Sequence, residues 1–247
     1  MALSKNNIKL IESLKKKKGR EKAGLFIVEG KKSVGEFIAS PAFELFQLFC
    51  TEDSADQFKN PHVISEKELK SISLLVSPDD CLALFTIPEE TELKTEGLIL
   101  ALDQINDPGN FGTIIRLADW FGVGQIWCAK GTVDRFNPKV VQSSMGSLTR
   151  VSVVYGDLIE FVNESSLPSY ATAMDGNNIY NTELPNEGII IMGNEANGVS
   201  EALFDKSDYK LAIPGFGEQK QTESLNVAMA TGIILSEFRR RSIAIQK

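Results

Sequence analysis

Strand-like and helix-like patterns of apolar residues alternate in two parts of the chain. In residues 1–90, short runs rich in β-branched and aromatic residues alternate with segments whose apolar positions recur every three or four residues. The predicted strands are GLFIVEG, FELFQLFC and CLALFTI, and the predicted helices are KKSVGEFIAS and SEKELKSISLL. This part of the chain is therefore predicted to be a small α/β domain.

The stretch PEETELKTEG is polar, charged and begins with proline, which is typical of a linker. After it the pattern predicts six more apolar strands: LILALD, QIWCA, RVSVV, SYATAM, GIIIMG and YKLAIP. A long helix from Ser224 to about Arg240 closes the chain. Such strands, separated by helices, favour a parallel sheet covered on both faces. We expect an N-terminal domain over residues 1–90, a linker over 91–97 and a second domain over 98–247.

Composition limits the classes of protein. The 247 residues are 43% hydrophobic, which is enough for a sizeable core. The sequence has no run of about 18 apolar residues and no apolar signal segment at its start, so we expect a cytoplasmic protein without a membrane partner. Cys50, Cys81 and Cys128 are widely spaced and His62 is the single histidine. A His-based triad or a multi-His metal centre is therefore excluded, and we predict no metal.

The charge is unevenly distributed. The net charge is −7, yet residues 1–32 contain ten Lys or Arg against three Asp or Glu, a local net charge of +7. Within KNNIKLIESLKKKKGREK, helical spacing of apolar residues is followed by a basic patch of Lys15–Lys18, Arg20 and Lys22. This patch is either the solvated end of a helix or a surface that contacts the phosphate backbone of a nucleic acid.

Ligands of open parallel sheets bind beyond the carboxyl ends of the strands, and three such ends carry unusual residues. They are NDPGNFGTIIR, MGNEANGVS and IPGFGEQKQTESLNVAMA. Neither the phosphate-binding loop GxxxxGK[ST] nor a GxGxxG after a strand is present, so a dinucleotide-binding oxidoreductase is poorly supported.

Polar residues at these ends are candidate site residues. If Asn110 caps the following helix, Arg116 lies about 9 Å further along and points back toward the free N–H groups of the turn, where one anion would meet both. Glu195 lies in a glycine-rich turn, and Ser224 is expected to cap the last helix with Asn226 in its first turn. Taken singly, Arg116, Glu195 and Ser224 are explained as ordinary surface, turn and capping residues. Capping by Ser224 does not explain Asn226, which is a mediocre helix former.

Taken in order, these segments resemble the three motifs of the SpoU/TrmH family, which are S-adenosylmethionine-dependent RNA ribose 2′-O-methyltransferases of the SPOUT class. The matching residues are Asn110, Gly112 and Arg116, then Gly193, Asn194, Glu195 and Gly198, then Ile213, Pro214, Glu223, Ser224, Leu225 and Asn226. GLFIVEGKKSV is similar to the signature of the family's N-terminal RNA-binding domain, and FNPKVVQSSMGSLTRVSV is similar to the segment between motifs 1 and 2. Two departures are a longer loop, PGFGEQKQTE, and Ala196 where glycine is common.

The resemblance implies a parallel α/β domain with a deep trefoil knot and an N-terminal domain similar to ribosomal protein L30e. It implies S-adenosylmethionine as cofactor, held by main chain around Gly193, Ile213 and Leu225, with Thr172 and Ala173 as secondary contacts. It implies a homodimer whose substrate is ribosomal or transfer RNA, bound by the basic patch and by the surface of Asn110 and Arg116.

The resemblance also implies the catalytic set, Asn110, Arg116, Glu195, Ser224 and Asn226. Arg116 has been suggested in this family to activate the hydroxyl, but a guanidinium stays protonated and is a poor base. We expect Arg116 instead to grip a phosphate and stabilise the developing alkoxide, whereas the two asparagines and Glu195 orient Arg116 or the ribose, and Ser224 positions the loop. The alternatives are a non-catalytic RNA-binding protein of the same fold and a SPOUT-class base methyltransferase.

Overall fold

The computed structural model describes residues 3–89, 95–217 and 224–245, with side chains described up to Arg240. The chain divides into two compact units. The first consists of Met1–Glu90 with Asp134–Thr149, and the second of Thr91–Val133 with Arg150–Lys247. Glu223 of the third motif lies outside the described residues, and so do residues 91–94 of the predicted linker.

The helices and strands alternate along most of the chain. In chain order they are α1 (Lys5–Leu14), α2 (Lys17–Ala23), β1 (Leu25–Glu29), α3 (Lys31–Ala39), β2 (Leu45–Cys50), β3 (His62–Val63), α4 (Glu66–Ile72), β4 (Cys81–Thr86), β5 (Leu98–Leu102), α5 (Pro108–Trp120), β6 (Gln125–Ala129), α6 (Pro138–Ser144), β7 (Ser152–Gly156), α7 (Leu158–Glu164), β8 (Ser169–Asn178), β9 (Gly188–Met192), α8 (Glu201–Lys206), β10 (Tyr209–Ala212) and α9 (Val227–Ile245).

The first unit is built on a four-stranded mixed sheet in the order β1-β4-β2-β3. The two long neighbours of β4 run antiparallel to it, and β3 is parallel to β2. The three strands and two helices predicted after residue 24 are confirmed. The strand β3 was not predicted, because its two residues are too short to carry an alternating pattern.

The basic stretch forms two helices rather than one helix with a charged end. Ile11 and Leu14 of α1 are buried in the core of the unit, as their spacing predicts. Lys16 then adopts an extended backbone, and α2 begins at Lys17. A Cβ at Gly19 would lie 1.9 Å from the carbonyl oxygen of Ser13, so the turn between the helices requires glycine there.

Arg20 is not part of a basic surface, which corrects the predicted patch. Its side chain is only 2% exposed, and its guanidinium donates to the carbonyl oxygens of Leu14 and Lys15 at 2.9 and 3.3 Å. Its Nε donates to Asp134 Oδ2 at 3.0 Å, within an ion pair that also uses Nη2. Lys16–Lys18 and Lys22 are exposed. A buried arginine must satisfy its donors internally, whereas the lysines remain in water.

Residues 134–149 complete the core of the first unit. The rings of Phe136 and Phe26 have centroids 4.4 Å apart, and α6 packs against β1. Glu29, the carboxylate of the N-terminal signature, is buried at the end of β1 and accepts from Ser73 Oγ and Leu74 N. Burial raises the pKa of Glu29 above its ordinary value. This glutamate therefore holds a loop rather than facing a ligand.

The second unit is a six-stranded parallel sheet in the order β10-β8-β9-β5-β6-β7. The residues of β5 and β9 are buried throughout, as expected for central strands covered on both faces. All six predicted strands are confirmed, although β7 begins two residues later than RVSVV. The prediction of a parallel α/β domain preceded by a small α/β domain is confirmed, and the knot remains a prediction.

Candidate active site

The first motif lies where β5 passes into α5. Asp107 is the N-cap of α5, Pro108 is its first residue, and the Asp107 carboxylate accepts from Asn110 N at 2.8 Å. The prediction that Asn110 caps this helix is therefore wrong: Asn110 lies in the first turn. An aspartate followed by proline is itself a strong helix-start signal, and the sequence contains it.

The second motif forms a closed turn after β9. Asn194 and Gly198 exchange backbone hydrogen bonds at 2.9 and 2.8 Å, and Gly198 has a φ of +69°. A Cβ at Gly193 would lie 2.1 Å from the backbone of Gly198 and Val199, so both glycines are required by geometry. The turn projects Glu195 into solvent at the carboxyl end of the strand.

This turn is tied to the neighbouring strand end. Asn194 Nδ2 donates to the carbonyl oxygen of Gln104 at 2.7 Å. The buried carboxylate of Asp103 accepts from Ser200 N at 2.8 Å. Asp103 and Gln104 were not predicted as site residues, and no local pattern marks them, because their partners lie about ninety positions away in sequence.

The third motif enters the site at the start of α9. The helix begins at Val227, and Asn226 Oδ1 accepts from the N–H groups of Ala228 and Met229 at 3.0 and 3.2 Å. Asn226 therefore makes the N-cap bonds that were predicted for Ser224, and the capping prediction for Ser224 is wrong. Ser224 is exposed three residues before the helix. Capping gives a reason for an asparagine at this position that helix propensity alone does not.

Three of the five predicted catalytic side chains form one hydrogen-bonded relay. Asn226 Nδ2 donates to Asn110 Oδ1 at 2.9 Å, and Asn110 Nδ2 donates to Glu195 Oε1 at 2.8 Å. The orientation of each amide follows from the backbone, because the oxygen of Asn226 is engaged by two N–H groups. The start of α9 thus positions the carboxylate of Glu195 through the side-chain amides of Asn226 and Asn110.

Arg116 lies near this relay in sequence but is not bonded to it. It is exposed on α5, six residues after Asn110, and within the described part of the chain it makes no hydrogen bond or ion pair. Ile114 and Ala118 are buried on the opposite stripe, as predicted. The anion that Arg116 and the turn were predicted to share stays a prediction. The turn offers fewer free N–H groups than an ordinary helix start, because Pro108 has none and Asp107 occupies that of Asn110.

The predicted cofactor residues follow the carboxyl ends of β9 and β10. Gly193 is buried, Ile213 is partly buried after the last residue of β10, and Leu225 is half-exposed beside Asn226. Of the secondary contacts, Thr172 donates to the carbonyl oxygen of Ile191 at 3.0 Å. Apolar side chains mixed with backbone at a strand edge suit an adenosine, which needs an apolar face and a few fixed polar groups. The residues present therefore fit S-adenosylmethionine.

Comparison with known proteins assigns the chain to a family. The SpoU rRNA Methylase family matches residues 97–236, and the MRM3-like substrate binding domain matches residues 5–83. The chain belongs to the SpoU rRNA Methylase family. Within this family it is 33% identical over 236 residues to the Bacillus subtilis 23S rRNA (guanosine(2553)-2′-O)-methyltransferase RlmP, covering 92% of this chain and 94% of the relative.

Solved structures of SpoU and TrmH proteins have the same fold. A putative RNA methyltransferase of the TrmH family from Porphyromonas gingivalis has a TM-score of 0.87 at 38% identity, covering 97% of this chain and 99% of that one. An AdoMet-bound rRNA methyltransferase from Sinorhizobium meliloti has a TM-score of 0.85 at 27% identity, covering 98% of both chains. The predicted family, fold, S-adenosylmethionine dependence and RNA 2′-O-methyltransferase class are confirmed.

Two further observations concern the described residues only. None of their helices is both long and apolar enough to cross a bilayer. No group of three or more His, Cys, Asp or Glu side chains among them is placed to hold a metal ion.

Proposed function

We propose that this SpoU family member methylates a ribose 2′-hydroxyl in ribosomal RNA, with Asn110, Arg116, Glu195, Ser224 and Asn226 as its catalytic set. The observation that carries the assignment of Asn110, Glu195 and Asn226 is the relay from Asn226 through Asn110 to Glu195, whereas Arg116 and Ser224 are assigned from the motifs alone. Ribosomal RNA is favoured over transfer RNA because RlmP, a relative of nearly full coverage, carries ribosomal RNA in its name. Transfer RNA remains the alternative substrate.

Bound S-adenosylmethionine supplies an electrophilic methyl group. Transfer to a ribose oxygen requires an aligned hydroxyl, a place for its proton and stabilisation of the negative charge that develops on the oxygen. Arg116 is a permanent cation that the described residues leave unpaired, so it is available to grip a phosphate and to stabilise the alkoxide.

Glu195 has the complementary role in this proposal. Asn110 holds one carboxylate oxygen, and the relay makes no bond to Arg116, so we assign Glu195 to the ribose hydroxyl rather than to the arginine. A carboxylate fixed in this way accepts the hydroxyl hydrogen bond and orients a lone pair of the oxygen toward the methyl group. Ser224 positions the loop before Asn226, and Gly193, Ile213 and Leu225 hold the cofactor.

RNA binding is assigned to the N-terminal domain, residues 1–90, and to the surface of Asn110 and Arg116. The match of residues 5–83 to a substrate binding domain supports this role, as do the exposed side chains of Lys16, Lys17 and Lys18. In this proposal, residues 91–97 are the linker and residues 98–247 the methyltransferase domain.

We also propose that the protein is a homodimer. Trp120 is 83% exposed near the end of α5, and Met229 is 68% exposed on α9, which packs beside α5. Exposed large apolar side chains on two adjacent helices are typical of surfaces that a second subunit covers. The trefoil knot and the cytoplasmic location remain proposals that rest on the sequence.

The test is methylation of ribosomal RNA from cells that lack this protein, followed by nuclease digestion. We expect 2′-O-methylated nucleotides at a single site; methylated bases would favour a base methyltransferase. Arg116→Ala should abolish turnover while S-adenosylmethionine affinity stays within a few-fold, and Arg240→Ala, which removes an exposed arginine from α9, should change neither. Retained turnover in Arg116→Ala would refute the role of Arg116. An absence of cofactor binding in equilibrium dialysis would favour a non-catalytic RNA-binding protein.

A further inference from the structure

The loop that follows β10 carries an aromatic ring in solvent. Phe216 is 84% exposed, and it lies in the stretch where the sequence departs from the usual short form of the third motif. Its nearest aromatic neighbour is Tyr180, with ring centroids 6.4 Å apart and planes inclined by 34°. A single exposed ring would be ordinary, but Tyr180 beside it is 37% exposed, so two adjoining aromatic rings reach solvent together.

The backbone of Tyr180 is held in place by the neighbouring strands. It follows β8 by two residues, and its backbone N–H donates to Asn178 Oδ1 at 3.0 Å. The intervening Ile179 is fully buried, and its N–H donates to the carbonyl oxygen of Ala212 in β10 at 3.0 Å. The turn under Tyr180 is therefore pinned to both strands.

The pair lies at the same edge of the sheet as the relay. Strands β10 and β8 are parallel to β9 and β5, so residues that follow their carboxyl ends share one edge with Glu195 and Asn110. β10 and β5 are three strand positions apart, or about 14 Å at about 4.8 Å per strand. Phe216 lies ten residues before Asn226 in sequence, and Asn226 donates to Asn110.

We propose that Phe216 and Tyr180 form a stacking platform for an unpaired base of the substrate RNA, close to the nucleotide whose ribose is methylated. This inference rests on the proposed function. Proteins recognise single-stranded RNA largely by stacking bases on aromatic side chains, and every base offers a face for stacking. The platform therefore positions the strand and contributes affinity without reading its sequence.

If Gly193, Ile213 and Leu225 hold the cofactor as proposed, its adenine would be the other planar group near this edge. Adenine sites are concave and cover most of the ligand's surface. A ring that is 84% exposed lies outside such a site, which favours the RNA base as its partner.

The test compares Phe216→Leu and Phe216→Tyr in the full-length protein with a short RNA that contains the methylation site. Phe216→Leu should raise KM for RNA about tenfold, since loss of one base stack weakens binding by about that much. The kcat at saturating RNA and the Kd for S-adenosylmethionine should stay within about twofold, and Phe216→Tyr should behave as the parent. Replacing the stacked base by an abasic nucleotide should remove the difference between Phe216→Leu and the parent.

Tyr209 offers a matched control, because it is an exposed ring at the opposite end of β10. Tyr209→Leu should leave KM for RNA unchanged. A weaker affinity of Phe216→Leu for S-adenosylmethionine with unchanged RNA binding would overturn the proposal in favour of cofactor stacking. The proposal would also be overturned if Phe216→Leu bound both RNA and S-adenosylmethionine like the parent. It would be overturned as well if the difference in KM between Phe216→Leu and the parent persisted with every abasic RNA. RNA binding is measurable without turnover, so these results are separable from a failure of the proposed methylation.

Discussion

The strand edge of the second unit, where Asn110, Glu195 and Asn226 meet, and the paired basic helices of the first unit expose polar groups in opposite ways. At the edge, Asn110, Glu195 and Asn226 come from three segments up to 116 residues apart, and each is engaged by a neighbour. In the helix pair, Lys16–Lys18 are consecutive, and all three are exposed. The side chains at the strand edge are therefore held by hydrogen bonds, whereas the lysines of the helix pair form an exposed cluster of positive charge.

The two arrangements suit different roles. A relay of directional hydrogen bonds can hold side chains within the tolerance of about 0.5 Å that a catalytic site requires. Lysines on flexible stems neutralise phosphates wherever these lie along a strand, which suits binding without a fixed register. Substitutions in the two regions should therefore separate into effects on kcat and effects on RNA affinity.

The largest effect on catalysis is expected from the relay. Asn110→Ala removes the donor to Glu195 and the acceptor of Asn226, so we expect kcat to fall about 10²-fold through misplacement of the carboxylate. The Kd for RNA should change little. Single-turnover methylation at saturating RNA measures the loss.

Two controls sharpen this prediction. Thr113→Ala changes a residue one turn later that bonds only within its own helix, and it should retain full activity. Glu195→Ala combined with Asn110→Ala should lose little more than either alone, because the residues act as one unit. Fully additive losses would mean that Asn110 and Glu195 act independently, and the relay would then have no role in catalysis.

Much of the fold was predictable because strand and helix periodicity is local. The six parallel strands and the core stripe of α5 follow directly from apolar spacing. The same spacing places Asn110, Glu195 and Asn226 at strand ends or helix starts, but their selection as catalytic residues came from the resemblance to the SpoU/TrmH motifs.

What the sequence did not provide is the partner of each polar group. Helix-capping roles went to Asp107 and Asn226 rather than to Asn110 and Ser224, because a boundary error of three residues reassigns a cap. Arg20 looked like one more cation of the basic patch, and its burial depends on Asp134, 114 residues away. Long-range pairing of this kind has no local periodicity.

The second prediction concerns the stability of the protein and the buried Arg20. Arg20→Met leaves the Asp134 carboxylate without its cation and should lower the free energy of unfolding by about 3–5 kcal/mol. Arg150→Met is the control, because Arg150 pairs with Asp119 at the surface, and its loss should cost at most about 1 kcal/mol. Urea denaturation followed by circular dichroism measures both. Equal losses in the two variants would place Arg20 among the surface cations after all.

The smallest effect is expected from the lysines. Changing Lys16, Lys17 and Lys18 together to Gln should weaken RNA binding about tenfold at moderate salt and reduce the slope of log K against log salt by about 2, since each phosphate contact contributes about 0.7–0.9. The kcat at saturating RNA should stay unchanged. A matched change of Lys67 and Lys70 to Gln, exposed on α4 of the same unit, should leave the slope almost intact. An unaltered slope in the triple variant would mean that these lysines form only a solvated helix surface, and the RNA contact of the first unit would have to lie elsewhere.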